Sequence, residues 1–328
     1  MKTLKEFLTE GILDIEDNIE NLTRESLIED FIKENYNTTA KIQIKKNGNK
    51  HIVSTKGVVL VKNNNITALT NDLFEWGIVG GHFDCDDCIS LKSLEGAPKE
   101  VEGNFSCSGC TSLKDLEGAP KEVGWNFDCS RCASLKDLTG APEKVKHNFD
   151  CQRCTSLESL NGAPEKVEGD FYCMDCTSLK DLIGAPKEIK GAFYCRSCTS
   201  LESLKGAPEK VGSDFYCYNC ISLKSLEGAP KKARDFSCHG CTSLKDLIGA
   251  PEKVNGGFNC YGCTALKSLE GAPKEVGRSF DCSKCTSLKD LTGTPKKVGM
   301  FFNCERCGKK FTEEDVRAVC DVKGRITV

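Results

Sequence analysis

The sequence predicts a mainly β solenoid of about twelve 22-residue coils, closed by a small α/β cap at the N-terminus and a short cap at the C-terminus. Three observations predict it. The first is a fixed period: phenylalanines recur at Phe83, Phe105, Phe127, Phe149, Phe171, Phe193, Phe215, Phe236, Phe258, Phe280 and Phe302, with one step of 21 between Phe215 and Phe236 and 22 elsewhere. The second is a constant frame, F-x-C-x-x-C-x-x-L-x-x-L-x-G-x-P-x-x-V, in which Ala233 once replaces the valine and which absorbs all ten prolines. The third is the lack of a helical pattern: the apolar residues do not follow a 3.6-residue period, and each copy's proline and glycines break any longer run.

The elements follow in chain order. Residues 1–58 form the N-terminal cap. Residues 1–40 contain no cysteine and read as two short helices; the second, TRESLIEDFIKENY, opens at Thr23 and lines up Leu27, Ile28, Phe31 and Ile32 on one face. KIQIKKNGNKHIV then alternates Ile42 and Ile44 ahead of an Asn47-Gly48 turn, the signature of a hairpin. The solenoid occupies 59–303, beginning with a degenerate coil at 59–82 where Val59, Val61 and Asn64 take the places of Phe and the two Cys. In each regular coil, Phe and the first Cys flank one variable residue, so a strand carries both inward. G-A-P then turns the chain at the back. Residues 304–328 complete the last coil and the C-terminal cap, with a helix starting at Thr312 and a final strand in GRITV.

Twenty-three cysteines raise a choice between metal and packing. Successive copies read C-x2-C-x18-C-x2-C, a spacing within the range of zinc sites, and two neighbouring coils would supply four thiolates. That spacing, however, is imposed by the repeat. The degenerate coil replaces both sulfurs with Val61 and Asn64, which a ligand position would not accept. Coils about 4.8 Å apart would also have to pinch into pairs to share an ion, leaving a 44-residue rhythm of which only a patchy Ser/Asp alternation before the second leucine is visible. No histidine stands at a ligand spacing. We therefore expect buried, reduced thiols with no metal and no cofactor. A near-extended C-x-x-C would hold its two cysteines about 10 Å apart, too far for a disulfide. CERCGKKFT at 304–312 looks like half of a zinc finger, but no histidine follows His239 to complete it.

This frame resembles the leucine-rich repeat, L-x-x-L-x-L-x-x-N/C-x-L. Phe105 and Cys107 stand at its strand leucines, Cys110 at its Asn/Cys position and Leu113 at the leucine that follows. The stretch from Cys110 to Val123 is most similar to the short bacterial repeats called BspA-like, and also to cysteine-containing leucine-rich repeats of tailed phages. The resemblance covers about residues 59–307. It implies a fold and a habit of binding partners on the strand side, without naming a function.

A net charge of -3 offers no electrostatic footprint for nucleic acid. Glu6, Glu10, Asp14 and Glu16 interrupt the apolar run that a signal peptide needs, and no stretch is apolar enough to span a membrane. The expectation is a cytoplasmic protein, in a host cytoplasm or a virion if phage-encoded, with no membrane or nucleic-acid partner and no small-molecule substrate. No phosphate loop, HExxH or nucleophile triad is present, so no enzyme is predicted.

Function is expected on the variable strand face. Tyr172, Tyr194 and Tyr216 should stack on adjacent coils, with Tyr218, His239 and Tyr261 in the next column and Asp128 and Asp150 flanking them. Tyrosine joins a large contact area to a polar tip, which suits protein recognition. The competing reading is a ladder chosen for strand propensity alone. Two other functions stay open: a thiol-rich zinc or iron-sulfur protein, and a structural part of a phage-like assembly. The Lys/Glu pairs after each proline are assigned to register and solubility.

Overall fold

A computed structural model describes residues 24–47, 50–62 and 66–328. The expected first helix, the Thr23 cap, Gly48 of the hairpin turn and Asn64 lie outside these residues. The chain divides into two compact units, one running to Leu135 and including Thr139–Lys146, the other comprising Lys136–Leu138 and His147–Val328. Each is a stack of β coils of the leucine-rich type, four in the first and eight in the second.

In the first unit, α1 (Arg24–Asn35) buries Ile28, Phe31 and Ile32. β1 (Tyr36–Thr38) follows directly, then the predicted hairpin of β2 (Ile42–Asn47) and β3 (Lys50–Thr55), with Asn47 opposite Lys50. β1 runs antiparallel to β4 (Val59–Val61), and β3 runs parallel to β5 (Glu75–Val79). The cap thus begins two ladders of strands and covers the first edge of each. One ladder continues from β4 through Phe83–Asp84 and Phe105–Ser106 to Phe127–Asp128. The other continues from β5 through Glu100–Val101 and Glu122–Val123 to Lys144–Val145. Edge-to-face contacts link Phe31 to Phe74, Phe74 to Trp76 and Trp76 to Phe83, so the degenerate coil joins helix to core through aromatic rings.

The second ladder is not among the sequence-based expectations. Its strands end on the frame's valine, four residues before Phe in the 22-residue coils and so an even number of residues from both Phe and the first Cys. The bend between valine and Phe carries the chain around a corner, and so one coil contributes a two-residue strand on each side of it.

The second unit repeats this plan. Its first ladder runs from Phe149–Asp150 to Phe301–Asn303 and ends on Arg325–Thr327, the strand expected from GRITV. Parallel phenylalanine rings stack at 5.1 to 5.6 Å along it. Its second ladder is interrupted: Lys166–Val167, Glu188–Ile189 and Lys210–Val211 form one run, and Lys232–Ala233 opens another that ends at Asp321–Val322. The interruption coincides with the 21-residue step, whose corner between Ala233 and Phe236 is one residue short. A short α2 (Glu313–Arg317) closes this end; Thr312 caps it and Asp315 returns a bond to the Thr312 backbone.

Inside the coils the Phe, both Cys, both Leu and the Val or Ile are buried. All 23 cysteines are free thiols, buried except for Cys307, which is half-buried. The C-x-x-C segment is not extended, which corrects the distance argument made from the sequence. It is a tight turn: the Cys110 N–H donates to the Cys107 carbonyl at 3.3 Å, as does Cys241 to Cys238. Its third residue has positive φ, at Asp87 (54°), Arg131 (61°) or Gly109 (75°), the geometry of a type II turn. The turn brings the two thiols into one interior, and in nine coils the second cysteine donates its S–H to the carbonyl of the first cysteine one coil back. Cys110 Sγ lies 3.2 Å from the Cys85 carbonyl, and Cys198 Sγ 3.1 Å from that of Cys173.

Candidate functional site

The outward residue between Phe and the first Cys has two distinct uses. Where it is Asp or Asn, its Oδ1 accepts the backbone N–H two residues on and so initiates the C-x-x-C turn. Asp128 does this to Ser130 at 2.8 Å, Asp150 to Gln152 at 2.9 Å and Asn259 to Tyr261 at 2.9 Å. Asp128 and Asp150, named above as flanking residues of a binding patch, are thus engaged by their own turns.

Where the residue is Tyr, the turn forgoes that acceptor and rings stack outside the strand. Tyr172 and Tyr194 lie 4.8 Å apart at 15°, and Tyr194 and Tyr216 lie 5.1 Å apart at 29°. The rings are half-buried. The Tyr172 hydroxyl donates to Asp170 at 2.7 Å and that of Tyr216 to Asp214 at 3.2 Å. In the coil between them the corner residue is Ala192, so no carboxylate from that corner takes the Tyr194 hydroxyl.

The second column assembles in part. Tyr218 and His239 stack at 4.3 Å, and Tyr218 meets Tyr216 edge-on at 6.3 Å, joining the columns into five contiguous rings. Arg196 lies 5.8 Å over the Tyr218 ring. Tyr261 is engaged otherwise: Lys284 Nζ donates to its hydroxyl at 2.5 Å and sits 4.9 Å from its ring centre.

The corner residue before Phe escaped the sequence reading. Its side chain accepts the corresponding backbone N–H of the next coil, from Asn148 to Asp170 at 2.8 Å, from Asp170 to Ala192 at 2.7 Å and from Asp235 to Gly257 at 2.6 Å. Reading down the column of residues before Phe, mostly Asn or Asp, would have exposed this ladder. At the short coil Asp214 also receives Arg234 in a two-pronged contact, Nε at 2.9 Å and Nη2 at 2.6 Å. Burial alone would raise the Asp214 pKa, but Arg234 and the Asp235 amide outweigh it and hold the carboxyl below its usual range. Burial, then the Asp214 charge, push Tyr216 up to about 12. Burial also lowers the His239 pKa, so its ring is neutral at neutral pH. Its Nδ1 lies 2.9 Å from Ser237 Oγ.

Past Tyr216 the outward residues become small. Ser237, Gly257, Asn259 and Ser279 floor a depression of about 530 Å³, bordered by Tyr216, Tyr218 and His239 and by Asp281 and Phe301. Among the described residues, no three His, Cys, Asp or Glu side chains gather as a metal ion would require, and no helix is long and apolar enough to cross a membrane.

The sequence matches no protein-family profile and no curated protein. Among solved structures it is similar to a leucine-rich repeat protein from Bacteroides ovatus, at 16% identity over 88% of this chain and 98% of that one, with a TM-score of 0.36. The description of the fold therefore rests on the coils themselves.

Proposed function

We propose that this chain is a non-enzymatic recognition protein that holds a protein partner against the outer strand face of its second unit, at Tyr172, Tyr194, Tyr216, Tyr218 and His239. One observation carries the reading: these coils place five contiguous rings on the outer face, three of them (Tyr172, Tyr194 and Tyr216) at the position where other coils use Asp or Asn to support the turn. Such a row offers a partner wide, rigid contact with polar tips and little side-chain entropy to lose. The polar groups around it already serve the fold, as the Tyr172–Asp170 and Ser237–His239 contacts illustrate, which favours binding over catalysis.

Changing Tyr172, Tyr194 and Tyr216 together to Ser tests the proposal, because Ser106 and Ser237 occupy the same position in other coils. Proteins co-purifying with wild type should be lost from the variant, as read by mass spectrometry. Undiminished recovery by a variant with unchanged circular dichroism would overturn the reading.

A further inference from the structure

The row of rings ends abruptly. Ser237 pairs in register with Tyr216, so the position of a fourth ring is taken by a side chain with no ring. The same column continues with Asn259 and Asp281. The depression described above begins at this vacated place. From the Tyr216 rung to the Asp281 rung is about 15 Å, three steps of about 4.8 Å.

We infer that this depression receives an arginine side chain of the protein partner, its guanidinium plane continuing the tyrosine stack above Ser237 and its charge held by Asp235 of the same coil, with Asp281 adding only to the negative field beyond it. The inference rests on the recognition face proposed above and names what one part of it takes. Four observations support it. Tyr216 terminates a stack of near-parallel rings, so a planar group is the natural continuation. Two carboxylates line the depression and no lysine or arginine does. In each carboxylate the fold engages Oδ1: Asp235 accepts Gly257 N–H, and Asp281 accepts the Ser283 N–H at 2.9 Å and hydroxyl at 2.6 Å. Arg234 Nε lies 3.6 Å from Asp235 Oδ2, but that side chain is already held by Asp214. Finally, this surface already sets a guanidinium over a tyrosine ring, with Arg196 Cζ 5.8 Å from the centre of Tyr218. Guanidinium combines a flat, weakly hydrated face with forked donors, whereas a lysine ammonium offers only a point charge. The two carboxylates would repel the phosphates of a nucleic acid, which argues against a stacked base.

Fluorescence anisotropy of the full chain with a labelled Gly-Gly-Arg-Gly-Gly peptide tests the inference, with peptides carrying lysine or the uncharged isostere citrulline for comparison. Two variants preserve the local fold: Ser237→Tyr fills the slot with a residue that three preceding coils accept, and Asp235→Asn keeps the corner acceptor that Asn148 provides in another coil. The arginine peptide should bind about 10-fold more tightly than either analogue, and each variant should weaken it about 10-fold. Equal binding of citrulline or lysine, unchanged affinity in Ser237→Tyr, or preferential capture of a labelled oligouridylate would each overturn the inference. If the arginine peptide fails while the triple tyrosine variant still loses its partners, the slot assignment falls and the recognition face stands. If the peptide binds and the triple variant keeps its partners, the slot stands and the wider face falls.

Discussion

Cys198 shows at the scale of one side chain why sulfur recurs. It is fully buried, and its thiol donates to the Cys173 carbonyl of the coil before it, satisfying a backbone acceptor that the turn leaves inside the protein. An asparagine amide can make the same donation, which accounts for the shared Asn/Cys preference without any metal. The Ser/Asp alternation before the second leucine has an equally local cause. Asp181 accepts the Ile183 N–H at 3.0 Å, and Ser225 accepts the Glu227 N–H at 3.0 Å, so either residue opens the same small turn and their order carries no pairing rhythm. Cys198→Ala removes both packing volume and the donor, and should cost about 1–3 kcal/mol in chemical denaturation. Cys198→Ser should recover part of that loss by restoring a donor. A Cys198→Ala variant as stable as wild type would mean that the thiol hydrogen bond contributes nothing.

At the scale of an element, the two kinds of turn glycine in a coil differ. Gly184 of the G-A-P turn has φ near +90°, and a Cβ there would lie 2.3 Å from Asn161 N and 2.4 Å from Leu160 C, backbone atoms of the coil before it. Gly262 of the C-x-x-C turn has φ of +67°, yet a Cβ there meets nothing within 4 Å, and the coils on either side place Gly240 and Lys284 at this position. Gly184→Ala should therefore cost about 3 kcal/mol or more, whereas Gly262→Asn should lie within about 0.5 kcal/mol of wild type in denaturant titrations, because asparagine tolerates this backbone region. The G-A-P turn was legible because proline and glycine announce it. The C-x-x-C turn was not, since Asp, Arg, Ser, Asn and Lys all occupy its positive-φ position and hide the requirement. The second ladder was obscured in a similar way: two-residue strands separated by a bend are too short for an alternation pattern to register. The tyrosine row was readable from its spacing alone. The depression beyond it was not, because it is defined by small residues from two columns, those just before and just after Phe, that only coil stacking brings together.

For the whole molecule, the period determined the architecture, since a 22-residue unit with one apolar face must stack to bury it. The same repetition multiplies one titration. Burial pushes Cys220 and Cys304 up to about 12 and Cys320 to about 11, and raises Cys195, Cys217 and Cys241 well above the ordinary thiol range. In an unfolded chain these thiols would ionise near 8.5 to 9. Each folded-state pKa is raised, so the stability that each thiol contributes is complete below about pH 9 and is lost as pH climbs from there toward the folded value. Each unit of pH in that window costs about 1.4 kcal/mol per buried thiol. Several thiols acting together should exceed the few kcal/mol that hold a typical domain within about one pH unit. Raising the pH from 7 to about 11 under reducing, anaerobic conditions should therefore produce one sharp loss of circular dichroism, with thiolate absorbance in the ultraviolet rising in step with it. Thiolate absorbance that grew smoothly near pH 9 in a chain still fully folded would show that the sulfurs reach water, and would remove the dry interior on which the placement of the recognition face depends.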